Sequence, residues 1–153
     1  MIEIEKILLI EEPNIVLVYG DCDTTLAGAI VSNQMNIKLV HIESGMRSYN
    51  KDMPEENNRI LTDHISDVLM CSTKDSIENL KKENITKNVY YIGNLQLNLL
   101  ELIIKKYNNL SILQDNNLIN NNFVLLTIHR HYNTIPKKII EIFKQLSKLT
   151  IPI

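Results

Sequence analysis

Cysteine is scarce in this 153-residue chain, with Cys22 and Cys71 its only two. Two thiols are too few for a disulfide framework or a zinc site, and both are expected as buried free thiols in apolar or motif surroundings. A surplus of positive charge is missing too. The 16 basic and 18 acidic side chains leave a net charge of −2 and are spread over the whole length. No basic stripe with interleaved aromatics appears, which argues against nucleic acid but not against a local anion site. No basic segment leads into a short apolar run at the start, and no run approaches the length of a membrane span. A soluble, cytoplasmic protein without membrane contact is the expectation. Metal-ligand spacing is absent, so neither a metal nor a cofactor is expected.

What is present is enough apolar material for a core, 44% of the chain, and a length that suits one domain or one domain plus part of another. Short β-rich runs alternate with longer helical patterns. The runs are Ile15 to Tyr19, Lys38 to Ile42, Val68 to Cys71, Val89 to Ile92 and Phe123 to Ile128. Each is nearly continuous in apolar residues, as in parallel strands covered on both faces. Helices are expected over Thr24 to Met35, Pro54 to Ser66, Lys74 to Lys82, Leu97 to Tyr107 and Pro136 to Leu149. Strict alternation defines an α/β fold: a Rossmann-like parallel sheet with flanking helices and right-handed crossovers. Pro54 opens its helix with Glu55 and Glu56 in the first turn, where the dipole favours negative charge, and Thr73 suits an N-cap.

Seven of the fifteen residues from 108 to 122 are asparagine. This stretch reads as a linker between residues 1–107, the later part of one α/β domain, and residues 123–153, the start of a second. Both ends read as cut, since Thr150 to Ile153 would feed a further strand. A lone strand and helix bury their apolar faces poorly, so exposed apolar surface and association are expected of the last unit.

Ligands of open α/β sheets bind beyond the carboxyl ends of the strands, and the loops there are polar. Gly20-Asp21-Cys22-Asp23-Thr24-Thr25 follows the first strand, Glu43-Ser44-Gly45-Met46-Arg47 the second, Gly93-Asn94 the fourth and His129-Arg130-His131 the fifth. Taken singly, each has a plain reading. Asp21 suits a helix cap, Glu43 an ion pair with Arg47, and Glu55 an i,i+4 pair with Arg59. Gly93-Asn94 suits a turn and His64 a structural role. Together, three carboxylates and two arginines from adjoining loops make a candidate site for proton transfer beside an anion. His129 and Arg130, next to a helix start, suit a phosphate or pyrophosphate.

The order Gly20-Asp21, His41-Ile42-Glu43-Ser44-Gly45-Met46-Arg47, Pro54-Glu55-Glu56-Asn57-Asn58-Arg59, Asp63-His64-Ile65-Ser66-Asp67, Gly93-Asn94 and His129-Arg130 resembles the non-hydrolysing UDP-N-acetylglucosamine 2-epimerases. The short loop between Glu43 and Glu55 is most similar to the archaeal branch. The resemblance implies two Rossmann-like domains facing a cleft, as in GT-B glycosyltransferases. It also implies catalytic positions at Asp21, Glu43, Glu55, Arg59 and His129, and substrate contacts at Arg47, Asn94 and Arg130. The implied reaction removes the C2 proton of the sugar as UDP leaves C1, then reprotonates C2 on the opposite face and returns UDP to C1. The implied partner is a UDP-sugar. A homo-oligomer, or a companion chain supplying missing domain parts, is expected with it.

The chain also departs from that family. A Gly-Thr-Arg-Pro-Glu type motif and an Asp-Ser-Gly-Gly type segment are absent. His131 and Tyr132 follow Arg130 where the family has Ala or Arg and then Glu. Without the uridine-gripping half, the chain alone is expected to turn over weakly or not at all. The alternatives are a catalytically inactive remnant or interaction module, an epimerase of a related diacetamido sugar nucleotide, and a hydrolysing epimerase. The Pro54-Glu55-Glu56 and Asn58-Arg59 pattern disfavours the last.

Overall fold

A computed structural model describes every residue except 108–110, 120, 121 and 130, and only the backbone of His131. In chain order the elements are α1 (Ile2–Glu11), β1 (Ile15–Tyr19), α2 (Asp23–Gln34), β2 (Lys38–Ile42), α3 (Pro54–Ile65), β3 (Val68–Cys71), α4 (Lys74–Lys82), β4 (Val89–Tyr91), α5 (Leu95–Lys106), α6 (Ile112–Asp115), α7 (His131–Thr134) and α8 (Pro136–Leu146). The chain divides into two compact units, Met1–Glu101 and Leu102–Ile153.

The first unit is built on one parallel sheet of order β1-β2-β3-β4. Because the strands run the same way and pair in register (Tyr19 opposite Ile42, Ile42 opposite Met70), all the loops that follow them lie at one end. Side chains alternate across the sheet. On one face, Val18 and Leu39 pack on Ala29 of α2 with Val16 and Ile65 around them, and Leu69 and Cys71 pack on Leu80 of α4. Leu39, Leu69 and Leu80 are fully buried, each contributing about 1.5–3 kcal/mol of apolar transfer.

The opposite face differs from the two-sided coverage that the apolar runs predict. Val40 and Ile42 are buried there, yet Ile15, Leu17 and Tyr19 of β1 are about half exposed. β1 is the sheet's edge among the described residues, and an edge strand has neighbours on one side only.

Helix boundaries follow local chemistry. Pro54 is the first residue of α3, where its missing N–H removes no bond and its fixed φ suits the helix. Thr73 caps α4 by accepting the Ser76 N–H at 3.1 Å. Asparagine has a definite use in the turns. Asn36, Asn84 and Asn88 adopt left-handed φ of 56°, 62° and 54°, a region this residue tolerates better than most.

In the second unit, the strand expected over Phe123 to Ile128 does not form a ladder: the residues there belong to no strand or sheet. A strand needs a partner, and the Val124 N–H finds only the Pro152 carbonyl, at 2.8 Å. No residue of α8 is buried, and Ile140 and Phe143 stay half exposed, as a helix without a sheet to cover predicts. No helix among the described residues is long and apolar enough to cross a membrane.

Candidate active site

The site begins where β1 ends. Gly20 turns with a φ of +67° while its N–H still donates to the Ile42 carbonyl at 3.1 Å, and this leaves Asp21 beyond the sheet. The cap position of α2 falls on Cys22, so Asp21 is not the helix cap its position also suited. Its carboxylate instead accepts a short hydrogen bond from Arg59 Nη2. Asn58, one residue earlier on α3, donates to the Asp21 carbonyl at 3.0 Å and to Asp23 Oδ1 at 2.8 Å. One turn of α3 therefore clamps the loop after β1 through two adjacent side chains. Glu55 stands in the first turn of the same helix, four residues before Arg59 and on its face.

Glu43 follows β2 in the left-handed region, with φ +69°. For a residue other than glycine that conformation costs about 1–3 kcal/mol, and such strain concentrates at functional sites. Its carboxylate approaches the first loop: Oε2 is 3.7 Å from where a Cβ on Gly20 would lie. Gln96 Nε2 reaches Oε1 at 3.4 Å. Beside these groups is a cavity of about 230 Å³, to which Tyr19, Glu43, Ser72, Asn94 and Gln96 contribute. Asn94 also serves the turn, as its Oδ1 accepts the Gln96 N–H at 2.9 Å.

Two expectations need correction here. Arg47 pairs with neither Glu43 nor the cavity. Its side chain is 1% exposed and its donors are taken by Glu83 (Nε and Nη2, both 2.7 Å), Asp63 Oδ2 (Nη1, 2.7 Å) and the Met46 carbonyl. Burial works against the charge, but the Glu83 and Asp63 carboxylates outweigh it and hold the guanidinium more firmly protonated than usual. In place of a substrate contact, Arg47 anchors its loop to α3 and to the end of α4. The thiols differ as well. Cys71 is buried as expected, and burial pushes its ionisation up, whereas Cys22 is exposed.

Three residues that lie in the sequence motifs, but had no site role from sequence, help to build this site. Glu56 is buried and accepts the Ser48 N–H (2.9 Å), the Ser48 hydroxyl (3.0 Å), the Tyr49 N–H (2.8 Å) and Arg59 Nη1 (2.9 Å). Burial raises its carboxyl, but these donors prevail and hold it below the ordinary value. It is the third residue of α3 and reaches past Met53 to the chain before the helix, a contact that no short-range pattern signals. The other two are His41 and Asp63, both fully buried. His41 was concealed in an apolar run and Asp63 in a helix interior.

His64 is half exposed, with Nδ1 at 2.9 Å from the Ile60 carbonyl, in keeping with a structural role. In the second unit His129 is exposed. Arg130 lies outside the described residues.

Asp21, Glu43, Asn94 and Arg59 thus gather at the carboxyl end of a parallel sheet. Carboxylates and a guanidinium stand there at the end of an α/β sheet where such folds commonly bind ligands. Residues 1–152 match the profile of the UDP-N-acetylglucosamine 2-epimerase family, and the chain belongs to that family.

A UDP-N-acetylglucosamine 2-epimerase homolog of Methanococcus maripaludis is 45% identical over 143 residues, 91% of this chain and 40% of that protein. A UDP-2,3-diacetamido-2,3-dideoxy-D-glucuronate 2-epimerase of Pseudomonas aeruginosa is 37% identical, covering 99% of this chain and 43% of its own. Among solved structures, the Methanocaldococcus jannaschii UDP-GlcNAc 2-epimerase in complex with UDP-GlcNAc and UDP superposes with a TM-score of 0.85 at 37% identity. That match covers 96% of this chain and 41% of the other. The chain therefore spans about 40% of the length of these relatives.

Proposed function

We propose that the chain serves the epimerisation of UDP-N-acetylglucosamine to UDP-N-acetylmannosamine. The observation that carries this reading is the convergence of Asp21, Arg59 and Glu43 beyond one sheet end, in a chain 37% identical to a protein solved with UDP-GlcNAc. A base takes the proton from C2, its electrons form the C1–C2 double bond, and the C1–oxygen bond breaks as UDP departs. A proton then adds to the other face of C2 while a UDP oxygen returns to C1. Side chains on separate loops supply proton carriers to two faces of the ring, roles assigned to Asp21, Glu43 and Glu55. A carboxylate also eases positive charge at C1. Fixed positive charge at the departing diphosphate is assigned to Arg59 and His129, with Arg130 and Asn94 as further contacts. Proton transfer and elimination require no metal or redox cofactor.

In this reading residues 1–107 belong to one Rossmann-like domain and 123–153 open a second, with 108–122 between them, in a GT-B-like pair acting in the cytoplasm. A homo-oligomer, or association with a chain that supplies further domain parts, goes with this reading. The likeness to the P. aeruginosa enzyme favours one alternative substrate, the related diacetamido sugar nucleotide.

Incubation with each UDP-sugar in deuterated water tests the proposal. Deuterium at C2, even at trace rates, that is lost in Glu55→Gln supports it, and the sugar that is labelled identifies the substrate. Folded protein that labels neither sugar belongs to the alternative of a non-catalytic interaction module.

A further inference from the structure

A buried polar chain links the two loops that carry Asp21 and Glu43. Asp63, fully buried on α3, turns one carboxylate oxygen to the Gly45 N–H at 3.0 Å and to Arg47 Nη1 at 2.7 Å. Its other oxygen lies 2.6 Å from His41 Nδ1. The far side of that ring, Nε2, lies 2.8 Å from the Gly20 carbonyl oxygen. A carbonyl only accepts, so Nε2 carries a hydrogen and donates it to Gly20.

We infer that His41 and Asp63 are positioning residues, which hold the Asp21 loop and the Glu43 loop in fixed register through backbone groups one residue before Asp21 and two after Glu43. Stability alone explains the arrangement poorly. Buried ionic groups are commonly replaceable by apolar ones without loss, yet here an imidazole, a carboxylate and a guanidinium are each about 99% or more buried. The outward ends of the chain terminate on loop backbone. Glu43, a residue other than glycine, has φ +69°, a conformation that persists only where its surroundings hold it. The consequence for catalysis rests on the proposed function, because misplacing a reacting group by about 1 Å can lower turnover about a hundredfold.

Two substitutions separate the ends of the ring. The amide of His41→Gln sits where Nε2 was and can still donate to Gly20, whereas that of His41→Asn sits where Nδ1 was and reaches only Asp63. Both remove the imidazole. The readouts are the Gly20 carbonyl ¹³C shift and amide hydrogen exchange at Gly20, compared with Leu39 and Leu69 in the strands. The Gln variant should keep the native carbonyl shift. The Asn variant should lose it, and its Gly20 amide should exchange about fivefold faster or more, the worth of one hydrogen bond, with Leu39 and Leu69 unchanged. Deuterium incorporation at C2 should fall at least about tenfold further in Asn than in Gln.

Equal behaviour of the two variants, unfolding of both, or exchange rising alike at Leu39 and Leu69 would reduce the network to core packing and overturn the inference. A native chain that labels no sugar counts against turnover by this chain alone, while the Gly20 signals still decide whether the loop is positioned by His41.

Discussion

Adding one methyl group at Gly45 probes the packing beneath the Glu43 loop. Gly45 has φ +77°, and a Cβ there would stand 2.4 Å from the Ser76 carbonyl oxygen and 2.8 Å from its carbon. Both atoms are backbone in the first turns of α4 and cannot swing aside. Gly45→Ala therefore carries two penalties, about 1–2 kcal/mol for the left-handed backbone and about 1–3 kcal/mol for overpacking. The expected total is roughly 2–5 kcal/mol. Relief by moving the loop would strain the Gly45 N–H bond to Asp63 and the Asn79 Nδ2 bond to the Gly45 carbonyl, each 3.0 Å.

Gly93 provides the control. It has the same φ of +77°, but nothing lies within 4 Å of its missing Cβ, so Gly93→Ala should cost only the backbone term, about 1–2 kcal/mol. The chain has no tryptophan, so urea unfolding is best followed by far-ultraviolet circular dichroism. The difference between the two variants isolates the steric term. Equal destabilisation of Gly45→Ala and Gly93→Ala would refute the claim that the loop is seated on the α4 backbone.

Two further predictions follow from the ionisable groups. Glu56 is held below its ordinary value of 4.5, so it adds stability above that pH which is lost as acidification protonates it in the folded state. Melting temperature followed downward from neutral pH should therefore fall less steeply in Glu56→Gln than in the native chain, and parallel curves would contradict the role given to its Ser48, Tyr49 and Arg59 partners. Cys22 is exposed and its thiol is lowered, chiefly by the Thr25 side-chain hydrogen bond, whereas burial raises Cys71. Iodoacetamide near neutral pH should modify Cys22 at least about tenfold faster than Cys71, read by peptide mass spectrometry, and Cys71 should react only after unfolding.

Much of the fold was decided by sequence alone, because its signals are local. Apolar runs of strand length place β1 to β4, Pro54 and Thr73 start their helices, and parallel connection sends every following loop to one end of the sheet. That is why Asp21, Glu43, Glu55 and Arg59 could be grouped from the sequence. Tertiary structure decided what depends on reach and on partners. Arg47 is long enough to meet several carboxylates, and the placement of α4 gave it Asp63 and Glu83 rather than Glu43. Neighbouring Glu55 and Glu56 differ by about 100° around a helix, and only the path of the Ser48–Tyr49 loop made the second the buried acceptor. Phe123 to Ile128 has the composition of a strand, but a ladder requires a second strand alongside, and none among the described residues supplies it. His41 lies within the apolar run of β2, and only the fold placed Asp63 on one side of its ring and the Gly20 carbonyl on the other.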